Sequence, residues 1–133
     1  MEQFLSNDYM PSYGNVVITS ETFLKEHPEI CKAFTSALNR GMQDIVDGNV
    51  EEAVNIARDH YTPNIAGSEQ KYINIISQEF IGNLWISEDT KKYDFGYSNI
   101  HDYQNYIDLL QKNGLFQNVF PAEDLVVNLG DQS

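Results

Sequence analysis

The residues of this chain that could do chemistry are scattered rather than clustered. His27, His60 and His101 lie far apart, and none takes part in a metal-binding spacing such as HExxH. Neither a glycine-rich phosphate loop nor a GxSxG nucleophile turn occurs in the sequence. Neighbouring pairs of acidic residues occur at Glu51-Glu52, Glu88-Asp89 and Glu123-Asp124. Neighbouring carboxylates do not converge on one point, so they favour a solvated surface over acid–base catalysis. We therefore expect no enzyme, no metal site and no cofactor.

The single cysteine, Cys31, excludes an intrachain disulfide and a cysteine-based zinc site. It stands among Ile30, Ala33 and Phe34, so the sequence predicts a small buried apolar residue rather than a reactive thiol.

Three tyrosines are candidates for ligand contact because they fall in irregular stretches. Tyr9, Tyr13 and Tyr97 do not fit the helical spacing that places most of the 8 Tyr and 7 Phe residues in a core. A loop tyrosine offers a flat face and a hydroxyl, which suits a small heterocyclic ligand. The alternative, a tyrosine packed beneath a loop, is the commoner arrangement.

Composition sets limits on the partners of the chain. The 133 residues are 41% hydrophobic, which is too apolar for a disordered segment and enough for one domain. Eight basic residues stand against 20 acidic ones, for a net charge of −12. This balance argues against binding nucleic acid or an anionic membrane surface. The first residues have no signal-peptide pattern, so we expect either a cytosolic protein or an export signal upstream of this chain.

The elements that would position these residues are mostly helices. Residues 15–19 predict a short buried strand, since Val16, Val17 and Ile18 are β-branched. Thr19 or Ser20 can cap a short helix that ends before Pro28, which leaves His27 as a cap or linker residue. Pro28 begins a second helix that runs to about Asp47, followed by Gly48 as a left-handed C-cap.

The second helix carries an apolar stripe, and four more helices are predicted after it. The stripe comprises Ile30, Ala33, Phe34, Ala37, Leu38, Met42, Ile45 and Val46, with Gly41 on the same face. A glycine there predicts close approach of a neighbouring backbone or of a ligand. Asn49, Ser68 and Asn99 begin the third, fourth and fifth helices, a long connection spans Gly82–Tyr97, and a last short helix covers about Ala122–Val127. The fold class is mainly α with one or two short strands, and a single strand lacks a partner to pair with.

Two stretches resemble one protein family in their order and spacing. VVITSETFLKEHPEICKAFTSALNRGMQDIVDGNVEEAV is similar to the strand, proline-started helix and following helix of the solute-binding proteins of ABC importers. FGYSNIHDYQNYIDLLQKNGLFQNVFPAEDLVVN is similar to the closing stretch of the same proteins. The group of solute-binding proteins that the chain resembles binds nitrate, sulfonates, taurine or thiamine-pyrimidine precursors. The resemblance covers about Asp8 to Asn128.

The resemblance implies a C-terminal part of lobe 1 in a two-lobe α/β periplasmic-binding-protein-like fold. In that fold a ligand binds between two lobes, and the closed form docks on a membrane permease outside the cytoplasm. Residues 1–14 would be an irregular lobe-crossing (hinge) segment, and 15–133 a single helical domain. Asp8, Tyr9, Tyr13 and Asn15 would then lie beside the cleft as ligand-binding or hinge residues. One fungal branch of the group is enzymatic and carries a cysteine-rich iron motif, which a chain with Cys31 alone lacks.

Two functions remain open at the level of the sequence. The first is a fragment of a solute-binding protein, for a thiamine-pyrimidine precursor or related heterocycle, with a sulfonate, nitrate or taurine-like anion as the rival ligand. Its isolated chain would expose an apolar face and tend to self-associate. The second is a self-contained acidic helical domain that binds another protein.

Overall fold

The computed structural model describes residues 14–118 and 120–129, and this part of the chain is mostly helical. Its α-helices, in chain order, are α1 (Glu21–Glu26), α2 (Pro28–Val46), α3 (Val50–His60), α4 (Glu69–Ile75), α5 (Glu88–Tyr93) and α6 (Ile100–Lys112). A π-helical segment, Ile76–Trp85, continues α4, and single 3₁₀ turns lie at Pro63–Ile65 and Ala122–Asp124. The prediction of a mainly α chain is confirmed for these residues.

The ends of the first two helices follow from local chemistry. The Ser20 hydroxyl accepts a hydrogen bond from the Phe23 amide at 3.1 Å, which caps α1. Pro28 occupies the first turn of α2, and His27 links the two helices as predicted. Gly48 follows α2 with φ +119°, in the left-handed region that glycine tolerates best.

Two asparagines predicted as caps behave differently from each other. Asn99 caps α6 by accepting a hydrogen bond from the His101 amide at 3.1 Å. Asn49 stands at the cap position of α3, but its side-chain amide donates to Asp44 Oδ1 at 2.7 Å instead. The sequence therefore predicted the cap position at both sites, but it predicted the capping hydrogen bond correctly only at Asn99.

The predicted strand at 15–19 is wrong. Residues 16–20 form no strand, and all of 14–20 are exposed. Within the described ranges, no backbone hydrogen bond joins Val16, Val17 or Ile18 to another segment. A strand exists only through a ladder with a neighbour, and no neighbouring strand lies in this part of the chain.

The connection predicted from Gly82 to Tyr97 is also wrong, because helical structure occupies most of it. The π-helical segment runs through Gly82 to Trp85, and α5 follows. A reciprocal cap starts α5: the Thr90 amide donates to Ser87 Oγ at 3.1 Å, and the Ser87 amide donates to Thr90 Oγ1 at 2.7 Å. The helix predicted near Ala122–Val127 shortens to the 3₁₀ turn Ala122–Asp124.

The main core lies between α3 and α4. Val50, Val54 and Ile65 are buried, and the partly buried isoleucines Ile45, Ile73, Ile76 and Ile81 pack against them. Phe95, Ile107 and Ala122 are buried as well, and Ile107 lies on α6. There the Ala122 amide donates to Gln104 Oε1 at 2.8 Å and fastens the 3₁₀ turn to α6. Among the described residues, no helix is long and apolar enough to cross a membrane.

Candidate functional site

Only one of the four predicted ligand or hinge residues can be placed. Asp8, Tyr9 and Tyr13 lie outside the described residues. Asn15 is exposed, in a bend that leads directly into Val16. The division into a hinge segment 1–14 and a domain 15–133 stays a prediction.

The chain that follows Asn15 leaves its apolar side chains in solvent. Val16, Val17 and Ile18 retain 53%, 57% and 86% of their accessible surface. These three residues are named here the extended segment. Such β-branched side chains are typical of a buried strand, so their exposure marks a surface with no partner in the described chain.

The apolar stripe of α2 is exposed in the same way. Ile30, Phe34 and Leu38, which define the stripe here, follow each other at one-turn spacing and remain 50%, 54% and 43% exposed. Gly41 lies on the same face, and no described atom comes within 4 Å of the position that a Cβ would take there. The close approach predicted at Gly41 is therefore not found. Cys31, between the stripe and the opposite face, is buried as predicted.

The opposite, polar face of α2 lines a groove of about 290 Å³, named here the α2 groove. One wall consists of polar residues at helical spacing: Lys32, Thr35, Ser36, Asn39, Arg40 and Gln43. The other wall comes from Asp94, Phe95 and Leu129. Sequence reasoning missed this groove, because a polar stripe on an amphipathic helix usually indicates a solvated face.

Backbone geometry shapes the wall that faces α2. Gly96 has φ +81°, which favours glycine, and a Cβ there would lie 3.0 Å from Asn39 Oδ1, so a larger residue would also require the Asn39 side chain to shift. Asp94, two residues earlier, has φ +78° and ψ 170°, a region of backbone conformation that is essentially restricted to glycine. The turn at 94–96 is thus held in a strained shape against the polar face of α2.

Tyr97, the one candidate loop tyrosine that can be placed, stacks on another tyrosine. Its ring lies 4.2 Å from that of Tyr93, at an interplanar angle of 24°. The Lys92 ammonium lies 4.5 Å from the centre of the Tyr93 ring, a cation–π distance. One face of Tyr97 is therefore covered by a side chain of α5.

Arg58 organises the charged groups between α3 and α4. Its Nε and Nη2 donate to the two carboxylate oxygens of Asp59 at 2.7 and 3.0 Å, and Nη1 donates to Glu69 Oε1 at 3.0 Å. The hydrogen bonds from Arg58 lower the pKa of Asp59. The pKa of Glu69 is lowered by its own backbone amide and then by Arg58. Asp59 and Glu69 therefore belong to an ion-pair network that joins α3 to α4.

A shallow groove beside α3 is acidic but offers no constellation for a metal. Glu51, Glu52 and Asp59 line it, and Asp59 is already paired with Arg58. In the described ranges, no group of three or more His, Cys, Asp or Glu residues is placed to hold a metal ion.

One comparison with known proteins gives a match, and two do not. Residues 1–52 match the family model described as NMT1/THI5 like, which is 52 of the 133 residues. The matched range contains the extended segment, α1, α2 and the start of α3. Neither a curated protein nor a solved structure matches the chain. The match supports the resemblance, and a substrate-binding role with it, over the N-terminal part of the chain.

Proposed function

We propose that this protein captures a small molecule for an ABC importer, as its solute-binding component, and catalyses no reaction. The family match over residues 1–52 supports a substrate-binding role. The importer, the permease on which the protein would dock and the extracytoplasmic location come from the resemblance described above and belong to this proposal.

The proposal depends on one observation: exposed apolar surface lies within the range that matches the family. Both the extended segment and the stripe of α2 fall inside the matched range, and all six side chains are at least 43% exposed. In the two-lobe fold that the chain resembles, residues 16–19 would join the sheet of the first lobe. The stripe of α2 would then pack on that sheet. The matched range thus contains two apolar surfaces that need a further packing partner.

A heterocycle is the proposed ligand, with a thiamine-pyrimidine precursor as the leading case. Tyr9 and Tyr13, which would lie at the lobe crossing, can stack on a flat ring and donate one hydrogen bond each. The rival ligands are a sulfonate, nitrate or a taurine-like anion, which need a cation in the cleft.

A thermal-shift panel on the full gene product tests this function. The panel sets a hydroxymethylpyrimidine, thiamine and riboflavin against taurine, an alkanesulfonate and nitrate. A ligand present at one hundred times its Kd stabilises the folded protein by about 2.7 kcal/mol, which raises Tm by several degrees. We expect a shift with a pyrimidine or flavin.

A matched pair of tyrosine variants then locates the site. Tyr13→Leu is expected to remove most of the shift, whereas Tyr61→Leu, at a tyrosine that is 78% exposed at the end of α3, should leave it intact. A shift with the anions alone would replace the heterocycle by the rival ligand. No shift with any member of the panel would contradict the capture role.

A second function is favoured by the same exposed stripe. An acidic helical domain that binds another protein would also present Ile30, Phe34 and Leu38 to a partner. This alternative predicts no ligand-induced shift, together with tight binding of a protein partner that Phe34→Ser abolishes.

A further inference from the structure

We propose that the α2 groove binds a small zwitterion, an amino acid or a related ω-amino acid, through Arg40 and Asp94. This inference is independent of the proposed function, because the groove lies on the face of α2 opposite the apolar stripe. Its volume of about 290 Å³ is near the lower end for ligand pockets, which suits a small metabolite.

Arg40 supplies the group that would receive a carboxylate. Its Nη1 donates to Ser36 Oγ at 3.0 Å, one turn earlier on the same helix. This bond holds the guanidinium along the groove and leaves further N–H groups of the fork for a ligand. Of the described carboxylates, none forms an ion pair with Arg40, in contrast to Arg58, which is paired twice.

Asp94 supplies the group that would receive an ammonium. Within the described ranges its carboxylate forms neither a hydrogen bond nor an ion pair, yet it lines the same groove as Arg40. Lys32 and Arg40 on one wall and Asp94 on the other give the groove both signs of charge, which favours a ligand that carries both charges. The buried ring of Phe95 and the side chain of Leu129 give the groove an apolar part for the carbon chain of such a ligand.

The backbone at Asp94 is a second, independent observation. Asp94 occupies a conformation that only glycine adopts without strain, at φ +78° and ψ 170°. Glycine would fit this position better on structural grounds alone. Strain of this kind collects at ligand clamps and active sites, so an aspartate at this position points to a use for its side chain.

Isothermal titration with glycine, β-alanine and γ-aminobutyrate tests the proposal, with acetate, butyrate and butylamine as single-charge controls. We expect at least one zwitterion to bind with a Kd below about 1 mM, and each single-charge control to bind at least about tenfold more weakly. Arg40→Gln and Asp94→Asn should each weaken binding about tenfold to hundredfold, since each removes the charge that the opposite charge of the ligand would meet. Lys71→Gln, which removes an exposed cation from α4 outside the groove, should leave binding unchanged.

Asp94→Gly separates a binding role from a structural one. We expect this variant to raise Tm by relieving the backbone strain and to lose binding as Asp94→Asn does. Unchanged binding would overturn the role of Asp94, and a lower Tm would overturn the backbone strain from which that role is inferred. Absence of zwitterion binding to the unsubstituted protein up to 10 mM would overturn the site as a whole, whatever the variants do.

Discussion

Arg58 shows how single side chains fix the contact between α3 and α4. Its guanidinium pairs with Asp59 beside it and with Glu69 at the start of α4, and it also donates to Asn55 Oδ1 at 2.9 Å. The depressed pKa values of Asp59 and Glu69 mean that the folded state favours their ionised forms. Their contribution to stability is therefore complete above the pKa of the unfolded carboxyls, about 4, and is lost as the pH falls through the lower folded values.

Arg58→Gln is expected to lower Tm at pH 7 and to lose this effect as the pH approaches 2. The reason is that the carboxylates must be ionised for the ion pairs to stabilise the fold. Lys25→Gln is the matched control, because Lys25 and its partner Glu21 are 72% and 80% exposed and contribute little. Tm measured from pH 2 to 7 checks the prediction. Equal losses for both variants at pH 7, or a loss at Arg58 that persists at pH 2, would contradict it.

Among the helices, α2 leaves the apolar residues of its N-terminal part in solvent, although Ile45 near its end packs on the core. Its apolar stripe lies in solvent, whereas its polar stripe lines the α2 groove beside Asp94 and Phe95. Burial on one face normally stabilises an amphipathic helix. The N-terminal half of α2 lacks that burial in the described chain, which is why we assign its stripe to a partner surface.

Substitutions on α2 and α3 measure this difference. Phe34→Ala should change the free energy of unfolding by less than about 1 kcal/mol, although the same change in a core costs about 3–5 kcal/mol. Val54→Ala, at a side chain that is 3% exposed, should cost about 2 kcal/mol. Urea denaturation of the chain gives both values. A cost above 3 kcal/mol at Phe34 would show that the stripe is buried within the chain itself.

The sequence predicted those elements whose signals are local. The cap at Ser20, the proline at Pro28 and the left-handed Gly48 fix α1 and α2 within a residue of the predicted bounds. The strand at 15–19 was wrong because a strand depends on a partner that local pattern does not supply. The connection predicted from Gly82 was wrong, because a glycine inside a helix costs only about 1 kcal/mol and the π-helical segment continues through it.

The candidate site was less predictable than the helices. Asn15 could be placed on the surface, but Asp8, Tyr9 and Tyr13 lie outside the described residues. The α2 groove depends on a contact between α2 and the turn at 94–96, about 55 residues apart in sequence. Nothing in the spacing of Lys32, Asn39 and Arg40 indicates that a strained Asp94 lies opposite them.

At the scale of the whole molecule, two opposing properties decide its behaviour in solution. The net charge of −12 keeps copies of the chain apart. The extended segment and the stripe of α2 present apolar surface that contains none of these charges. Added salt shortens the range of the repulsion from about 10 Å at 0.1 M to about 3 Å at 1 M. Association through the apolar surface should therefore increase with salt as well as with protein concentration.

Light scattering tests most directly whether the stripe of α2 is a packing surface. It gives the mass of the chain as a function of protein concentration, in 0.1 M and in 1 M salt. If the stripe of α2 is a packing surface, the mass rises with concentration, rises further in 1 M salt, and returns to that of a monomer of 15.2 kDa in the variant Phe34→Ser, Leu38→Ser. A matched variant on exposed residues elsewhere, Leu115→Ser, should associate like the unsubstituted chain. A monomer at every concentration and in both salts would show that this face requires no partner.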